Sequence, residues 1–323
     1  NASKATVGFI GSGNYATAVL IPAFAKANAE LKSVASSAGI SSVHAGKKFG
    51  FAEVTTDSQS IIEDDSINTI VVTTRHNNHA QFVVDALKAE KHVFVEKPLA
   101  LKREELAEIT AAYESTSKET TPLVMVGFNR RFSPHVQKMK QLLSSVSEPK
   151  SFIMTVNAGA IPADHWTQDK NVGGGRIIGE GCHFIDLLRF LAGAEIVNVQ
   201  AMMIGEGVGI RDDKVSITLG FADGSFGTVH YLANGNKSFP KERLEVFCAD
   251  RVLQLDNFRK LKGFGWPGFN KMNISKQDKG QKACAAAFVE AIESGSESPI
   301  PFAELIEVAN ATFDVVDILG KQG

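Results

Sequence analysis

The 323 residues hold three cysteines, Cys182, Cys248 and Cys284. They are few, far apart and odd in number, which excludes a disulfide framework and offers no paired spacing for zinc. No apolar run approaches the roughly 20 residues that cross a bilayer. No basic segment followed by an apolar one stands at the N-terminus, so nothing reads as a secretory leader. Charge of one sign is missing too. With 34 Lys+Arg against 36 Asp+Glu the formal net charge is -2, and no basic run with interleaved aromatics offers a nucleic-acid surface. The chain has no internal repeat and no low-complexity tract, and "SSVSEP" and "ESGSESP" read as ordinary loops. These absences leave a reducing cytoplasm as the simplest expectation, with neither nucleic acid nor membrane as a partner. The opening "NA" precedes the first strand without a methionine and reads as the scar of a cleaved tag, outside the fold.

Apolar residues make up 44% of the chain and charged ones 22%, and the length suffices for two domains with their own cores. From "TVGFIG" to "PLVMVGF" short β-branched runs alternate with longer amphipathic segments. Strands are expected at "TVGFIG", "LKSVAS", "AEV", "INTIVVTT", "HVFVEK" and "PLVMVGF", and helices at stretches such as "NYATAVLIPAFAKA" and "HAQFVVDALKAE". Near-continuous apolar strands alternating with helices predict a parallel sheet covered on both faces. Residues 3–128 therefore read as an α/β, doubly wound dinucleotide-binding domain of the Rossmann type.

After "VGFNRRFSP" and one more helix the pattern changes. Strands follow one another through turns, as in "KVSITLGFADGSFGTVHYLA", where Val215, Ile217, Leu219 and Phe221 share one face and "ADGS" makes the hairpin. Further strands fall at "SFIMTVNAG", "VNVQAMMIG", "ERLEVFCAD" and "RVLQLDN", with closing helices near 279–294 and 303–319. Residues 129–323 thus read as an α+β domain for substrate binding and oligomerisation, an open, mainly antiparallel sheet with helices on one face. Ser216, Thr218 and Gly220 alternate with the apolar row and give the other face small side chains suited to a partner subunit.

Three stretches of the first half carry chemistry. The first strand runs into "GSGNYA", with Gly11, Gly13 and Ala16 as G-x-G-x-x-A and a helix straight after. That context fits the dinucleotide fingerprint: glycines for the tight turn and for close approach of backbone to the pyrophosphate, and free helix N–H groups for the anion. Asn14 and Tyr15 complete the turn. The acidic residue expected about 20 positions on, for the ribose 2′-hydroxyl, is missing; Ser36 and Ser37 stand there instead. Hydroxyls tolerate a 2′-phosphate that a carboxylate would repel, so the cofactor reading is NAD(P) with a lean to NADP. The fourth strand closes in "TTRHNNHA", and the fifth in "FVEKPLALKREEL", where Pro98 pushes Lys97 toward an extended conformation as the last residue of its strand. Taken alone, that lysine is as readily a solvated residue at an ordinary strand-to-helix turn.

Together the fingerprint, "TTRHNNHA" and "EKP" resemble the glucose–fructose oxidoreductase, inositol dehydrogenase and rhizopine-catabolism family (Gfo/Idh/MocA), and the resemblance spans essentially the whole chain. The family's T-P-N-x-x-H appears as Thr74, Arg75, His76, Asn77, Asn78 and His79, departing at its second and third positions. The resemblance implies that Thr74, Arg75, His76, His79, Glu96 and Lys97 border the nicotinamide end of the cofactor. It also implies that Lys97 contacts substrate and takes part in proton transfer, and that the Lys97–Pro98 bond is cis. The family pattern G-G-G-x-x-x-D-x-G-x-H-x-x-D, laid on residues 173–186, matches Gly173, Gly174, Gly175, Gly181, His183 and Asp186 but puts Gly179 at the site aspartate. Glu180, its neighbour, is the candidate substitute. The surrounding segment "NAGAIPADHWTQDKNVGGGRIIGEGCHFIDLLRFLAG" resembles a narrower branch in which such a domain follows a zinc-type alcohol dehydrogenase-like domain, so a longer protein is an expectation.

The reaction implied is hydride removal from a carbinol carbon while a base takes the hydroxyl proton. A lysine beside the positively charged oxidised ring is suited to that acid/base work, and His183, of a residue type that changes charge near neutrality, is its partner or alternative. Asp186 either orients His183 or pairs elsewhere. Arg130 and Arg131 fall at the junction of the halves, where Arg130 is a candidate for binding an acidic substrate group, with ion pairing the alternative. His165 and Trp166 offer an aromatic wall for a sugar, or plain packing. His76 and His79 have no nearby cysteine or carboxylate cluster, so no metal is expected. The sequence therefore reads as an NAD(P)-dependent oxidoreductase acting on CH–OH groups of a sugar-like small molecule, nucleotide-linked sugars included, a homo-oligomer through its second sheet. A non-catalytic dinucleotide-binding or regulatory domain, and one half of a two-active-site fusion, are the rival readings.

Overall fold

The computed structural model describes residues 2–37, 39–117 and 121–322. Its chain forms two compact units, Asn1–Phe128 with Gln281–Ile306, and Asn129–Gly280 with Glu307–Gly323.

In the first unit, β1 (Thr6–Ile10), β2 (Glu30–Ala35), β3 (Glu53–Thr55), β4 (Thr69–Val72), β5 (His92–Val95) and β6 (Val124–Val126) form one sheet in the order β3-β2-β1-β4-β5-β6. Every pairing is parallel. Thr69, Ile70, Val71 and Val72 are all buried, which explains the unbroken apolar run: a central parallel strand has no solvent face. Phe24 meets Phe9 edge-on at 5.6 Å and Phe94 at 5.3 Å. Phe94 in turn meets Phe288, at 5.7 Å, on the helix Gln281–Ser294. The sequence division leaves that helix in the second domain; aromatic packing, together with the bond from Ser298 Oγ to the Val124 carbonyl (2.9 Å), joins it to the first.

Two local features differ from the expectation. The helix after the fingerprint opens as a π-turn, Ala16–Leu20, before α-helix Ile21–Lys26. Pro22 has no N–H to continue an α-helical ladder into that turn. Strand β5 ends at Val95, two residues short of Lys97: the Glu96 N–H still donates to the Val72 carbonyl (2.9 Å), and the ladder stops there. The Lys97–Pro98 peptide is cis, as the resemblance implied.

The second unit is built on β7 (Ser151–Asn157), β8 (Ile196–Met203), β9 (Lys214–Phe221), β10 (Phe226–Leu232), β11 (Glu242–Cys248), β12 (Arg251–Asp256), β13 (Lys260–Phe264) and β14 (Lys271–Asn273), in the order β14-β13-β12-β11-β7-β10-β9-β8. Only β7 and β10 run parallel among these described strands. Val215, Ile217, Leu219 and Phe221 are buried, as their alternation required, and Leu188 of the helix Cys182–Ala192 packs so close over Gly227 that a Cβ there would meet it at 2.8 Å. The hairpin falls at Ala222–Ser225 with Gly224 at φ +85° and Asp223 Oδ1 accepting the Ser225 N–H. The doubly wound parallel sheet and the mainly antiparallel one are thus both present. Strands β13 and β14 were not expected.

The other sheet face is apolar at one end. Registered pairs place Phe264, Val252, Phe247, Ser151 and Phe226 side by side across five strands. Phe264, Phe247 and Phe226 are 52%, 43% and 50% exposed.

Candidate functional site

The carboxyl edge of the parallel sheet gathers the first group of residues. Gly11 leaves β1 at φ +103°, and a Cβ there would sit 2.7–2.8 Å from Oγ1, C and O of Thr73, so the turn fits against the end of β4 only without a side chain. Gly13, two residues on, is exposed, and a Cβ on it would have nothing within 4 Å. Protein packing does not demand glycine at 13; a ligand on that face would. Asn14 and Tyr15 are exposed beside it. At the tip of β2, Ser36 Oγ lies 2.5 Å from Ser41 Oγ, which accepts from Ser12 Oγ at 2.9 Å, while Ser37 is exposed. The row of hydroxyls through Ser12 and Ser41 was not foreseen.

His79 fastens the loops after β4 and β5. Its Nδ1 lies 2.7 Å from the Pro98 carbonyl and its Nε2 3.1 Å from the Thr74 carbonyl. Two carbonyls would favour a doubly protonated ring, but burial dominates and holds the pKa below the ordinary value, with the Lys97 charge adding to the depression. The neutral ring donates to one carbonyl at a time. His76 is buried with its ring 5.6 Å from that of His79, and Arg75 is exposed. Glu96 is buried, and burial pushes its carboxyl up to about 7 against the pull of Lys97. Gly127 makes room for it, since a Cβ there would come within 2.5 Å of Glu96 Oε1. Lys97 is half-buried.

In the second unit the glycine run folds the chain back on itself. A Cβ on Gly173 would meet the Thr167 Cα at 2.4 Å, and Gly174 and Gly175 take φ of +78° and +82°. Glu180 follows on a π-turn, Ile177–Gly181, which leads into the helix bearing His183 and Asp186, both buried. The Glu180 carboxylate accepts from Arg176 Nη2 (3.2 Å) and Tyr231 Oη (3.0 Å) and meets Lys241 Nζ at 2.9 Å. Sequence reasoning singled out Glu180 as a candidate but not its partners, because Tyr231 sits in an alternating strand and reads as core. Burial first, then Glu180, pushes the Tyr231 hydroxyl well above its ordinary pKa, so it donates and does not ionise.

Two residues with alternative readings have partners in the structure. Arg130, a candidate for substrate binding, is buried and spends its guanidinium on Glu242 and on the faces of Phe184 and Phe258. A fully buried carboxylate at the start of β11 has the stronger claim on that cation. Of the alternatives for Asp186, pairing is realised: both its oxygens accept from Arg131 Nε at 2.9 Å. His165 and Trp166 lie with rings 5.9 Å apart, Trp166 half-buried. Cys182, Cys248 and Cys284 are buried, and no disulfide forms among the described residues. Among those residues, too, no group of three or more His, Cys, Asp or Glu could hold a metal, and no helix is long and apolar enough to cross a membrane.

Parallel order 3-2-1-4-5-6, a glycine turn after β1 and an appended open sheet define a two-unit protein of the dinucleotide-binding oxidoreductase type. The chain belongs to the Gfo/Idh/MocA family: residues 5–128 match its NAD-binding Rossmann-fold oxidoreductase model, and residues 136–254 match its C-terminal domain. Myo-inositol 2-dehydrogenase of Thermotoga maritima is 28% identical over 219 residues, 66% of this chain and 64% of that protein. Levoglucosan dehydrogenase of Pseudarthrobacter phenanthrenivorans is 28% identical over 59% of this chain and 56% of that protein. These matched stretches thus cover less than two thirds of either relative. A solved levoglucosan dehydrogenase in complex with NADH and levoglucosan superposes with a TM-score of 0.86 at 24% identity, covering 99% of this chain and 98% of that one, a likeness of fold.

Proposed function

We propose that this chain is an NAD(P)-dependent oxidoreductase that moves hydride between nicotinamide and a hydroxyl or carbonyl carbon of a sugar-like small molecule. The observation that carries the reading is the turn after β1, where Gly11 is demanded by Thr73 but Gly13 presents open backbone. That is the cradle a pyrophosphate takes and a Cβ would fill. Gly11, Gly13, Asn14 and Tyr15 would hold the pyrophosphate, Ser36 and Ser37 the adenosine ribose, and Thr74, Arg75, His76, His79 and Glu96 the nicotinamide end. Bound dinucleotide supplies the hydride acceptor or donor. Lys97 takes the hydroxyl proton as the alcohol is oxidised and returns it in the reverse direction, with His183 as the second proton-transfer group. Glu180, held by Arg176, Tyr231 and Lys241, serves as a fixed anion that orients those donors. Relatives named as inositol and levoglucosan dehydrogenases support a polyol or sugar substrate. With no carboxylate at the tip of β2, NADP should bind at least as well as NAD, although the solved levoglucosan dehydrogenase complex carries NADH.

The exposed Phe264, Phe247 and Phe226 row supports a homo-oligomer through the second sheet, and three buried thiols suit a cytoplasmic setting. Side-by-side fluorescence titration of NADH and NADPH, then a panel of polyols and sugars followed by nicotinamide absorbance, tests the reading. Turnover should vanish in Lys97→Ala while cofactor affinity stays within about threefold. Absence of any dinucleotide binding would leave a different function for the fold.

A further inference from the structure

Strand β10 ends at Leu232, and the chain leaves it through "ANGNKSFPK" on its way to β11. Both flanks of this stretch are fastened. Ala233 is buried, and its N–H donates to the Asp213 carbonyl (3.0 Å). A strap of residues 236–241 is held by Asn157: its Nδ2 donates to the carbonyls of Asn236 (2.8 Å) and Phe239 (3.1 Å), and its backbone N–H donates to the Lys241 carbonyl (2.7 Å). Inside the strap the Ser238 N–H donates to Asn236 Oδ1 (2.9 Å). Between the two flanks lie Asn234 and Gly235, both exposed. Neither makes a hydrogen bond, by backbone or side chain, among the described residues.

Gly235 is demanded by packing. A Cβ on it would fall 2.0 Å from Asn157 Oδ1, so a larger residue would push the side chain that holds the strap. Asn234 and Gly235 also form the single Asn-Gly pair of the chain. Asparagine is a chemically labile residue, and a glycine after it exposes the amide most, because a nitrogen with no neighbouring Cβ is uncrowded and its backbone turns freely. Attack by that nitrogen needs an N–H with no other bond and an amide free to rotate, and this pair supplies both. The Asp223–Gly224 pair of the hairpin is held instead. Its Gly224 N–H donates to the Phe221 carbonyl (3.0 Å), and both Asp223 oxygens accept from Ser225 at 2.9 Å.

We propose that Asn234 is a site of spontaneous covalent modification, converted through a cyclic imide with Gly235 into aspartyl and isoaspartyl forms, and that conversion loosens the strap from Asn157. The Gly235 nitrogen gives its proton to solvent and bonds to Asn234 Cγ, while the Cγ–Nδ2 bond breaks and ammonia leaves with a proton from water. Water then adds at either imide carbonyl. One opening restores the peptide with an aspartate side chain, and the other leaves the chain running through the side-chain carbonyl as isoaspartate. Water is consumed, ammonia is released, and nothing is oxidised or reduced. Isoaspartate lengthens the backbone by a methylene beside a glycine that has no room to move against Asn157. The strap ends at Lys241, whose ammonium meets Glu180 at 2.9 Å, so the change reaches the candidate site. It needs no ligand and stands apart from the oxidoreductase reading.

Ageing of the full chain in mildly alkaline buffer tests it, followed by peptide mass spectrometry with chromatographic separation of aspartyl from isoaspartyl forms. Asn234 should lose its amide at least about tenfold faster than Asn236, with isoaspartate among the products. Asn234→Gln, whose longer side chain disfavours the ring and whose position is exposed, should slow amide loss there at least about tenfold. In the aged wild type, backbone hydrogen exchange over residues 237–241 should speed up at least about threefold against both fresh protein and aged Asn234→Gln. Amide loss at Asn234 no faster than at Asn236, undiminished loss in Asn234→Gln, or strap exchange unchanged in the converted protein would overturn the proposal.

Discussion

Gly11 and Gly13 sit two residues apart in one turn and answer to different constraints. Gly11→Ala forces a Cβ against Thr73 at a positive φ, so it should cost about 1–3 kcal/mol of stability, read as a lowered Tm. Gly13→Val meets no protein atom; its Tm should hold while NADH affinity falls by at least about tenfold, in thermal melts beside a fluorescence titration. Glu96 adds a prediction in pH. Its folded pKa of about 7 lies above the ordinary carboxylate value, so the native state keeps a proton that the unfolded chain has lost. Stability from this group is complete below about pH 4.5 and drains away as pH rises to about 7, by up to about 3 kcal/mol. Glu96→Gln should therefore gain on the wild type as pH goes from 5 to 8; a gap in Tm that stays flat would exclude the effect. His92 acts oppositely. Burial holds it down to about 4, so its contribution is present above pH 6.5 and is lost on acidification toward 4.

At the level of elements, the two π-turns mark both candidate helices, Ala16–Leu20 before the first and Ile177–Gly181 before the second. The second carries Glu180, and removing its carboxylate leaves Arg176, only 3% exposed, with a buried charge. Glu180→Ala should lower stability by about 3 kcal/mol, read in denaturant melts; Glu180→Gln, which keeps the hydrogen bonds, should cost less. Elements with a clear period were legible: β1, β4 and β5 as apolar runs, β9 by alternation, the hairpin by Asp223 and Gly224. Strand β13, "KLKGF", was not, because it turns only Leu261 firmly inward while two lysines, a glycine and the exposed Phe264 fill its other positions. Among the candidate site residues, those in local motifs are the ones the sequence singles out. Partners assembled across strands could not: Tyr231, Lys241 and Lys279 reach their carboxylates over 51, 61 and 37 positions of sequence, and no local spacing encodes that. For the same reason the sequence could not choose between substrate binding and ion pairing for Arg130, since Glu242 lies 112 positions away.

For the whole molecule, the exposed phenylalanine row predicts self-association. Phe247→Glu combined with Phe226→Glu should shift the protein toward the monomer in light scattering at micromolar concentration without lowering the Tm of either unit. A wild-type protein already monomeric there would remove the role given to this face. The return of Gln281–Ile306 to the first unit also bears on how the chain comes off the ribosome. Synthesis delivers β1 to β6 first, yet the ring of Phe288 that closes on Phe94 and the hydroxyl of Ser298 that caps the Val124 carbonyl arrive more than 150 residues later. Until then the aromatic core around Phe24 and Phe94 lacks one wall. A nascent chain halted at residue 280 should remain protease-sensitive in its Rossmann-type part, and supplying residues 281–323 as a separate peptide should restore resistance, making a stretch that emerges after the second sheet the one that completes the first.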